Sequence, residues 1–427
     1  MRVLFLAHRI PFPPNKGDKI RAFNILQYLT KRHEVYLGCL MDEERDLQFV
    51  PQIAQRVRRL VFGRIRPRMK KLLALREMLR SRPITVGYFH SPALQRQIDD
   101  IIEAVDIDAF VCSSSPMAEY LFRSRHADTK IGSGVRVMDL IDVDSCKWRQ
   151  YAEQSPAWSS WIYRYEAECL ARYEQRIARS FDHVLVVSEQ EKKVFPGGGD
   201  VPNLEAMSNG VDLEFFRPRE PGTRPPERPT LVFTGAMDYR PNVEGIRWFV
   251  ESVFPRIRIA IPDVELLIVG SKPAPEVLRL GRLPGVAVTG FVEDIREYLA
   301  GASVCIVPLR IARGIQNKVL EAMAMGKAVV CTPQAHEGIR ATAGKELVVA
   351  EGAGEFATAT IDLLLDPGRA RQLGLAARQC VEREYCWEDN LRLLDRILAV
   401  RSTAARPTGS AVGSGRGAAA AKGAGPA

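Results

Sequence analysis

The stretch that decides the fold is RGIQNKVLEAMAMGKAVVCTP, residues 313–333. It opens with a turn that contains Gly314, continues with apolar residues at helical spacing, and ends in the short apolar run AVVC. A turn, a helix and a strand in this order form the repeating unit of a parallel sheet covered by helices. The stretch therefore predicts an α/β domain in the second half of the chain.

The same alternation runs through the rest of the sequence. Apolar, strand-like runs are found at 2–7, 34–40, 57–63, 108–114, 135–142 and 183–188, and again at 230–235, 264–270, 286–292, 303–309 and 327–333. Helical patterns separate them, including a long one at 158–179. Because buried parallel strands read as short continuous apolar runs, we expect two consecutive doubly wound α/β domains.

The domain boundaries follow from composition. Residues 217–229, RPREPGTRPPERP, contain five prolines, which suits a linker and excludes a central strand. We expect an N-terminal domain over 1–205, a linker region over 206–229 and a C-terminal domain over 230–385. A last helix over 386–400 is expected to return toward the N-terminal domain, and the Ala/Gly-rich tail 401–427 is expected to be disordered.

Composition excludes several classes of protein. With 427 residues, 46% hydrophobic and 26% charged, the chain resembles soluble globular proteins and not a disulfide-stapled module. The net charge of +9 is concentrated in residues 56–82, which contain eleven Lys or Arg residues and one acidic residue, Glu77. Because the positive charge is not spread over the chain, the chain is not a general nucleic-acid binder. Eight cysteines without a CxxC pair, and no apolar run of about eighteen residues, predict a cytoplasmic protein without structural zinc.

Loops that follow parallel strands are the expected ligand sites, since strand ends and helix N-termini meet there. In the first domain the loop NKGDKIR, residues 15–21, combines Gly17 with the cations Lys16, Lys19 and Arg21. This combination suits a diphosphate, although a solvated turn with a few charges explains it too. The loop matches neither the dinucleotide-binding fingerprint nor the P-loop motif.

In the second domain the helix after Gln316 carries Lys318 and Glu321 on its first turns. The helix N–H groups and Lys318 would neutralise a phosphate leaving group, while Glu321 would accept hydrogen bonds from sugar hydroxyls. The alternative is that the two residues form an ordinary surface pair three positions apart.

These motifs resemble a known family. The segments TGAMDYRPNVEGIRWF, LLIVGS, VTGFVEDIREYLAGASVCIVPL and GIQNKVLEAMAMGKAVV are similar to the donor half of GT-B glycosyltransferases of the large retaining family four. Together with NKGDKIR and DLIDVDSCKWRQYAEQ, residues 139–154, they resemble more narrowly the sugar transferases of exosortase A/PEP-CTERM exopolysaccharide loci. The resemblance implies two Rossmann-like domains facing each other across a cleft.

The resemblance also implies roles for individual residues. It puts Gly17 near the donor diphosphate, the base at Phe291, Val292 and Asp294, and the ribose at Glu321, the second glutamate of an E-x7-E motif. The first glutamate of that motif is replaced by Arg313, so recognition of the sugar is expected to shift to the residues 314–316. The predicted donor-binding residues are Gly17, Lys19, Gly235, Val292, Asp294, Gly314, Gln316 and Asn317, and the predicted catalytic residues are Lys318, Glu321 and Arg240.

The acceptor side is less defined. Where many relatives carry a histidine after the fourth strand, this chain has Ser114 and Ser115. Asp142 and Asp144 are candidate acceptor contacts, helix-capping carboxylates or a metal-binding DxD pair, and of these readings we expect Ser114 and Asp142 on the acceptor side and no metal. The lone histidines His8 and His90 are expected to be structural or surface residues.

The resulting functional hypothesis is a retaining glycosyltransferase. Its donor would be a UDP- or GDP-linked sugar with no other cofactor, and its acceptor a glycan or polyprenol-linked sugar of exopolysaccharide assembly. The basic run 56–82 would hold the protein on the anionic inner face of the plasma membrane, or else forms a solvated helix face. The alternatives are a nucleotide-sugar 2-epimerase of the same fold and a catalytically silent partner that binds the nucleotide sugar.

Overall fold

A computed structural model of the chain describes residues 1–65, 77–153, 155–198, 201–218 and 228–399. The first sheet has seven parallel strands in the order β3-β2-β1-β4-β5-β6-β7. They are β1 (Arg2–Ala7), β2 (Glu34–Met41), β3 (Arg59–Arg64), β4 (Ala109–Ser113), β5 (Val135–Ile141), β6 (His183–Val186) and β7 (Leu204–Ala206). Val3 of β1 pairs with Val35 on one side and Ala109 on the other, which makes β1 an interior strand of the sheet.

The second sheet has six parallel strands in the order β10-β9-β8-β11-β12-β13. They are β8 (Thr230–Thr234), β9 (Glu265–Val269), β10 (Val286–Gly290), β11 (Val304–Val307), β12 (Val329–Cys331) and β13 (Val348–Val349). Both sheets turn back at their first strand, so each has a topological switch point where β1 meets β4 and where β8 meets β11. Ligands of doubly wound sheets bind at the carboxyl ends of the strands at such points.

Helices cover both sheets. In the first half they are α1 (Gly17–Thr30), α2 (Val50–Ala54), α3 (Ile84–Phe89), α4 (Pro92–Ala104), α5 (Ala118–Phe122), α6 (Asp144–Glu153), α7 (Ala157–Ser180) and α8 (Glu189–Val194). In the second half they are α9 (Arg240–Trp248), α10 (Phe254–Ala260), α11 (Pro275–Leu280), α12 (Ile295–Gly301), α13 (Asn317–Ala324), α14 (Pro333–His336), α15 (Gly352–Leu365), α16 (Pro367–Glu384) and α17 (Trp387–Ala399). Short 3-10 turns at Glu44–Phe49 and Ser115–Met117 and π turns at Ala127–Ile131 and Phe249–Val253 complete the described elements.

The last helix, α17, belongs to the core of the N-terminal domain. Its apolar face, which includes Leu391 and Leu394, is buried together with Ile25 of α1. The hydroxyl of Tyr28 donates a hydrogen bond to Asp395 over 2.6 Å. The chain therefore crosses back to the first domain after completing the second, which couples the two domains mechanically.

The predicted fold class is confirmed: both domains are doubly wound parallel α/β sheets. The apolar runs did not predict β7 and β13, because strands of three and two residues are too short for a periodic signal. The central part of the basic run (66–76), the centre of the Pro-rich linker (219–227) and the tail 401–427 lie outside the described residues. Within the described ranges, none of the helices combines the length and hydropathy that a membrane crossing requires.

Candidate active site

The N-terminus of α13 lies where the two domains meet. The side-chain amide of Asn209, just after β7, donates a hydrogen bond to Oδ1 of Asn317 over 3.2 Å. A Cβ atom on Gly17, the first residue of α1, would lie 3.6 Å from Nδ2 of Asn317. The structure thus brings together the predicted donor residues Gly17 and Asn317, one from each switch point.

Lys318 lies against a glycine turn of the C-terminal domain. Its ammonium donates a hydrogen bond to Oδ1 of Asn242 and lies 4.8 Å from the centre of the Phe233 ring. Gly235, directly after β8, has φ +152°, and a Cβ atom there would lie 3.1 Å from Nζ of Lys318. Glycine at 235 therefore allows the backbone to approach the ammonium.

The pKa values of Lys318 and Glu321 are both shifted toward neutral pH. Burial, partly opposed by the Glu321 carboxylate, lowers the pKa of Lys318 to about 7. Burial, partly opposed by Lys318, raises the pKa of Glu321 to about 7. Two desolvated groups of opposite charge beside a helix N-terminus are typical of a site that receives a charged ligand.

The cations of the first-domain loop are engaged in pairs within their own domain. Each is held by a carboxylate: Lys16 by Glu43 at 2.7 Å, Lys19 by Asp46 at 2.6 Å and Arg21 by Asp139 at 2.7 Å. Lys19 is buried and its ammonium is paired with Asp46, so this structure does not present it to the cleft, and its role in donor binding stays a prediction. The part of the loop that lies next to Asn317 of α13 is Gly17, which has no side chain.

Arg313, which replaces the first glutamate of the E-x7-E motif, is paired with carboxylates. Its Nη1 lies 3.0 Å from Glu337 and 3.8 Å from Glu191 of α8. Oε1 of Glu191 also accepts a hydrogen bond from the amide of Gly314 over 3.4 Å. Burial, followed by repulsion from Asp142, raises the pKa of Glu191 to about 7. The N-terminal domain therefore contributes the Glu191 carboxylate to the surroundings of Arg313.

Gly314 is enclosed by the first domain. It has φ +63°, and a Cβ atom there would lie 1.8 Å from Oδ1 of Asp142. Burial, together with the nearby Asp144 and against the pull of Lys147, raises the pKa of Asp142. The predicted acceptor residue Asp142 and the predicted donor residue Gly314 are thus in contact. Gln316 lies at the start of α13 and donates its side-chain hydrogen bond to the Arg313 carbonyl over 2.9 Å.

Arg240, a predicted catalytic cation, lies on the rim between the domains. Its Nε donates to Glu244 over 2.7 Å, and its Nη1 donates to the hydroxyl of Ser155 over 3.2 Å. Its guanidinium also stacks on the ring of Tyr151, 5.3 Å from the ring centre. These contacts make Arg240 a bridge to the N-terminal domain, with one of its hydrogen bonds already made to a carboxylate.

The predicted base-binding segment follows β10. The carboxylate of Asp294 caps α12 through the amide of Arg296 and also pairs with the Arg296 guanidinium at 2.7 Å. Its side chain is thus engaged within its own helix. Phe291 is 74% exposed and Val292 is half-buried, so the segment offers an aromatic face and backbone groups to a base.

Two strained residues lie at the carboxyl ends of β4 and β5, on the predicted acceptor side. Ser114 follows β4 with φ +78°, and Ile141 ends β5 with φ +72°. Side chains with φ above zero are uncommon and concentrate at functional sites. Asp144 is held by Lys147 at 2.6 Å and by the hydroxyl of Ser115 at 3.2 Å. No group of three His, Cys, Asp or Glu that suits a metal occurs among the described residues.

Sequence reasoning missed three residues of the site: Asn209, Asn242 and Glu191. Asn209 was detectable in principle, because Asn-Gly after an apolar run is a strong turn signal at a strand end. Asn242 and Glu191 lie inside helices and carry no local signal. Their roles depend on contacts with Lys318 and Gly314, which lie 76 and 123 positions away.

The chain is similar to known proteins in part of its sequence and in its fold. Residues 228–366 match the family model described as Glycosyl transferases group 1. This group 1 segment contains β8 to β13 and the whole of α13. A GDP-mannose-dependent monoacylated alpha-(1-6)-phosphatidylinositol monomannoside mannosyltransferase of Corynebacterium glutamicum is 28% identical over 254 residues, which are 52% of this chain and 64% of that enzyme. The alignment thus spans less than two thirds of the curated relative.

Solved structures are similar in fold over nearly the whole chain. Sucrose-phosphate synthase of Thermosynechococcus elongatus has a TM-score of 0.70 at 18% identity, covering 95% of this chain and all of that one. Anabaena Alr3699/HepE in complex with UDP and glucose has a TM-score of 0.67 at 15% identity, covering 94% and 100%. The fold is GT-B. The group 1 segment lies within the C-terminal domain of this fold.

Proposed function

We propose that this chain is a retaining glycosyltransferase that moves a sugar from a nucleotide-sugar donor to a glycan or polyprenol-linked acceptor in exopolysaccharide assembly. The observation that carries the proposal is the position of Lys318 in the first turn of α13, beside the Gly235 turn, with Glu321 three residues further along the same helix. A diphosphate there would meet an ammonium, helix N–H groups and two backbone turns without side chains.

The chemistry follows from these groups. The bond between the anomeric carbon and the phosphate oxygen breaks, and the acceptor hydroxyl forms the new bond on the same face of the sugar. The hydroxyl proton passes to the departing phosphate oxygen. Lys318 and the α13 N–H groups stabilise the charge that develops on the diphosphate, so the proposal needs no metal or other cofactor.

The donor nucleotide is UDP or GDP. The corynebacterial relative is named as GDP-mannose-dependent, and the Anabaena structure holds UDP. In this chain the ribose would be bound by Glu321 and the base by the segment around Phe291 and Val292. We propose that the turn 314–316 contacts the sugar, since Arg313 is engaged by Glu337 and Glu191.

Calorimetric titration of UDP- and GDP-sugars into the full-length protein tests the proposal. Lys318→Ala and Glu321→Ala should each weaken donor binding about 10- to 150-fold, because a hydrogen bond to a charged group is worth about 1.5 to 3 kcal/mol. Lys345→Ala removes an exposed lysine of the same domain and should bind like the wild type. Wild-type affinity in both site variants would remove the site assignment.

Product analysis separates the alternatives. Transfer to an acceptor with the anomeric configuration of the donor preserved supports a retaining glycosyltransferase. Free UDP with an altered sugar and no need for acceptor would identify an epimerase. Tight donor binding without slow donor hydrolysis or transfer would identify a silent binding partner.

A further inference from the structure

A second cavity of the C-terminal domain lies apart from the proposed donor site. Its volume is about 380 Å³, within the range of about 300 to 1,000 Å³ that small-molecule sites occupy. Arg310 comes after β11, Gln334 after β12 and Glu351 after β13, so the cavity lies at the carboxyl ends of three neighbouring strands. Gly235 and the ammonium of Lys318 lie instead near the end of β8, on the other side of β11.

Three planar polar side chains of the cavity take no part in holding the fold together. They are the guanidinium of Arg310, the carboxamide of Gln334 and the carboxylate of Glu351, all on exposed residues. Within the part of the chain that the structure describes, none of these three groups makes a hydrogen bond or an ion pair. The opposite charges of Arg310 and Glu351 therefore line one cavity without neutralising each other, and space for a ligand remains between them.

An aromatic ring forms part of the cavity wall. Trp248, the last residue of α9, is half-buried, and its ring is held edge-on against Phe356 of α15 with the ring centres 6.0 Å apart. The hydroxyl of Thr332 donates to the Leu309 carbonyl over 2.5 Å and so ties together the loops that follow β12 and β11. A Cβ atom on Gly352, which also lines the cavity, would meet nothing within 4 Å. The ring is thus fixed in place beside open space.

This lining matches the chemistry of a neutral sugar ring. The C–H face of a hexose is apolar and packs on an aromatic ring, while each hydroxyl both donates and accepts hydrogen bonds. Arg310 only donates, Glu351 only accepts and Gln334 does both. Glu355 accepts a hydrogen bond from the Glu351 amide over 3.0 Å, and its charge is opposed by the dipole at the start of α15. With charges of both signs present, the cavity favours neither an anion nor a cation.

We propose that this cavity binds a neutral hexose unit of the glycan acceptor, at a distance from the unit that receives the transferred sugar. The inference rests on the proposed function for the source of the glycan. Arg310 and Gln334 each precede by three residues a member of the ion pair between Arg313 and Glu337, whose atoms are 3.0 Å apart. The loops that line the cavity thus lead directly to the turn 314–316, so a glycan in the cavity would lie beside the proposed sugar contact.

Saturation-transfer difference NMR of the full-length protein with maltotriose, cellotriose and mannotriose tests the inference. At least one of these neutral trisaccharides should bind. Arg310→Ala/Gln334→Ala should lower its affinity at least about tenfold, because two hydrogen-bonding groups are lost. The matched control is Arg371→Ala/Gln372→Ala, which removes the same two residue types from exposed positions of α16 and should bind like the wild type. Both double variants should melt at the temperature of the wild type.

A second readout locates the bound saccharide. The indole N–H resonance of Trp248, assigned through Trp248→Phe, should shift when the trisaccharide is added, and that of the exposed Trp158 should not. Failure of all three trisaccharides to bind overturns the inference. So does equal affinity in the two double variants, or displacement of the saccharide by UDP.

Calorimetric titration of UDP keeps the two proposals separate. Arg310→Ala/Gln334→Ala should bind UDP like the wild type, because the cavity does not include the donor site. A protein that binds the trisaccharide through Arg310 and Gln334 but does not bind UDP would contradict the donor site and leave the glycan cavity supported. A protein that binds UDP but none of the trisaccharides would do the reverse.

Discussion

Arg21 and Asp139 form a bidentate ion pair in which neither residue is exposed: Nη2 lies 2.7 Å from Oδ1, and Nε lies 2.9 Å from Oδ2. The remaining nitrogen, Nη1, donates to the Met207 carbonyl at 2.9 Å and to Oδ1 of Asn209 at 2.8 Å. Asn209 in turn donates to Asn317 at the start of α13. A buried charge pair of the first domain thus orients an amide that bonds to the first residue of α13 in the second domain.

Replacing one partner of this pair should destabilise the protein strongly. Arg21→Met leaves the Asp139 carboxylate buried without a counter-charge, which costs about 3 to 5 kcal/mol of unfolding free energy. Urea denaturation measures the change. Arg125→Met, which breaks an exposed pair, is the control and should stay within about 1 kcal/mol of the wild type. An Arg21→Met protein as stable as that control would show that the buried Arg21–Asp139 pair does not contribute to the free energy of unfolding.

Donor binding should weaken as the pH rises through neutrality. Lys318 has a lowered pKa of about 7, so it is charged below that pH and neutral above it. Glu321 has a raised pKa of about 7, so it is neutral below that pH and negative above it. Loss of the Lys318 charge removes a contact with the diphosphate, and the charge gained by Glu321 repels the diphosphate. We expect these two effects to exceed the gain from a stronger hydrogen bond between the ribose and an ionised Glu321, and a nucleotide-sugar diphosphate does not itself titrate between about pH 6 and about pH 8.

Calorimetry with a UDP-sugar at about pH 6 and about pH 8 should show a loss of affinity of about tenfold in the wild type. Lys318→Met/Glu321→Gln should bind more weakly and with little dependence on pH. A wild-type affinity that is constant, or that increases with pH, would mean that other groups control donor binding.

The contact between Gly314 and Asp142 should be intolerant of a methyl group. Gly314→Ala puts a Cβ atom 1.8 Å from Oδ1 of Asp142, so the domains or the turn must shift. Gly344→Ala has the same kind of backbone, with φ +80°, and nothing within 4 Å of the added atom. Both variants carry the backbone strain, and only the first meets Asp142.

We therefore expect Gly314→Ala to lose at least about tenfold more transfer activity than Gly344→Ala, as measured by the rate of nucleoside diphosphate release. Adding Asp142→Ala to Gly314→Ala relieves the steric contact and should recover donor binding, measured by calorimetry. Equal activity in the two single variants would show that the contact is unimportant.

Restoring the glutamate of the family motif should harm this protein. Arg313→Glu would place a carboxylate beside Glu337 and Glu191, where two attractive contacts of 3.0 and 3.8 Å now exist. Repulsion and an uncompensated buried Glu191 should lower the melting temperature. Arg313→Glu/Glu191→Gln removes part of the repulsion and should be more stable than the single variant. A single variant as stable as the wild type would contradict this account of Arg313.

The prediction from sequence was most successful where the signal is local. The runs RVLFLA and TLVFT are apolar on both faces, which only a covered parallel strand allows, and both are central strands of their sheets. Gly17, Asn317 and Lys318 follow strand ends, which parallel topology makes ligand-binding positions, whereas the proximity of Gly17 to Asn317 depends on how the two domains pack. The role of each of these residues in binding stays a prediction.

The pairing of Lys19 could not be predicted from local sequence patterns. A lysine in a glycine loop after a strand suits a diphosphate, but Asp46, which is 27 positions away, neutralises its ammonium in a buried pair. The pairing of Arg313 could not be predicted from local sequence either, because its partner Glu337 comes from a different loop and its partner Glu191 from a different domain.

The sequence by itself determined the two doubly wound sheets and the strand ends at which a ligand would bind, because hydrophobic periodicity and turn residues act over a few positions. Only the tertiary structure decided which charges remain available at the cleft. Electrostatic pairing depends on distances in space, and the carboxylates that occupy Lys19 and Arg313 are brought to them by helices and loops remote in the chain.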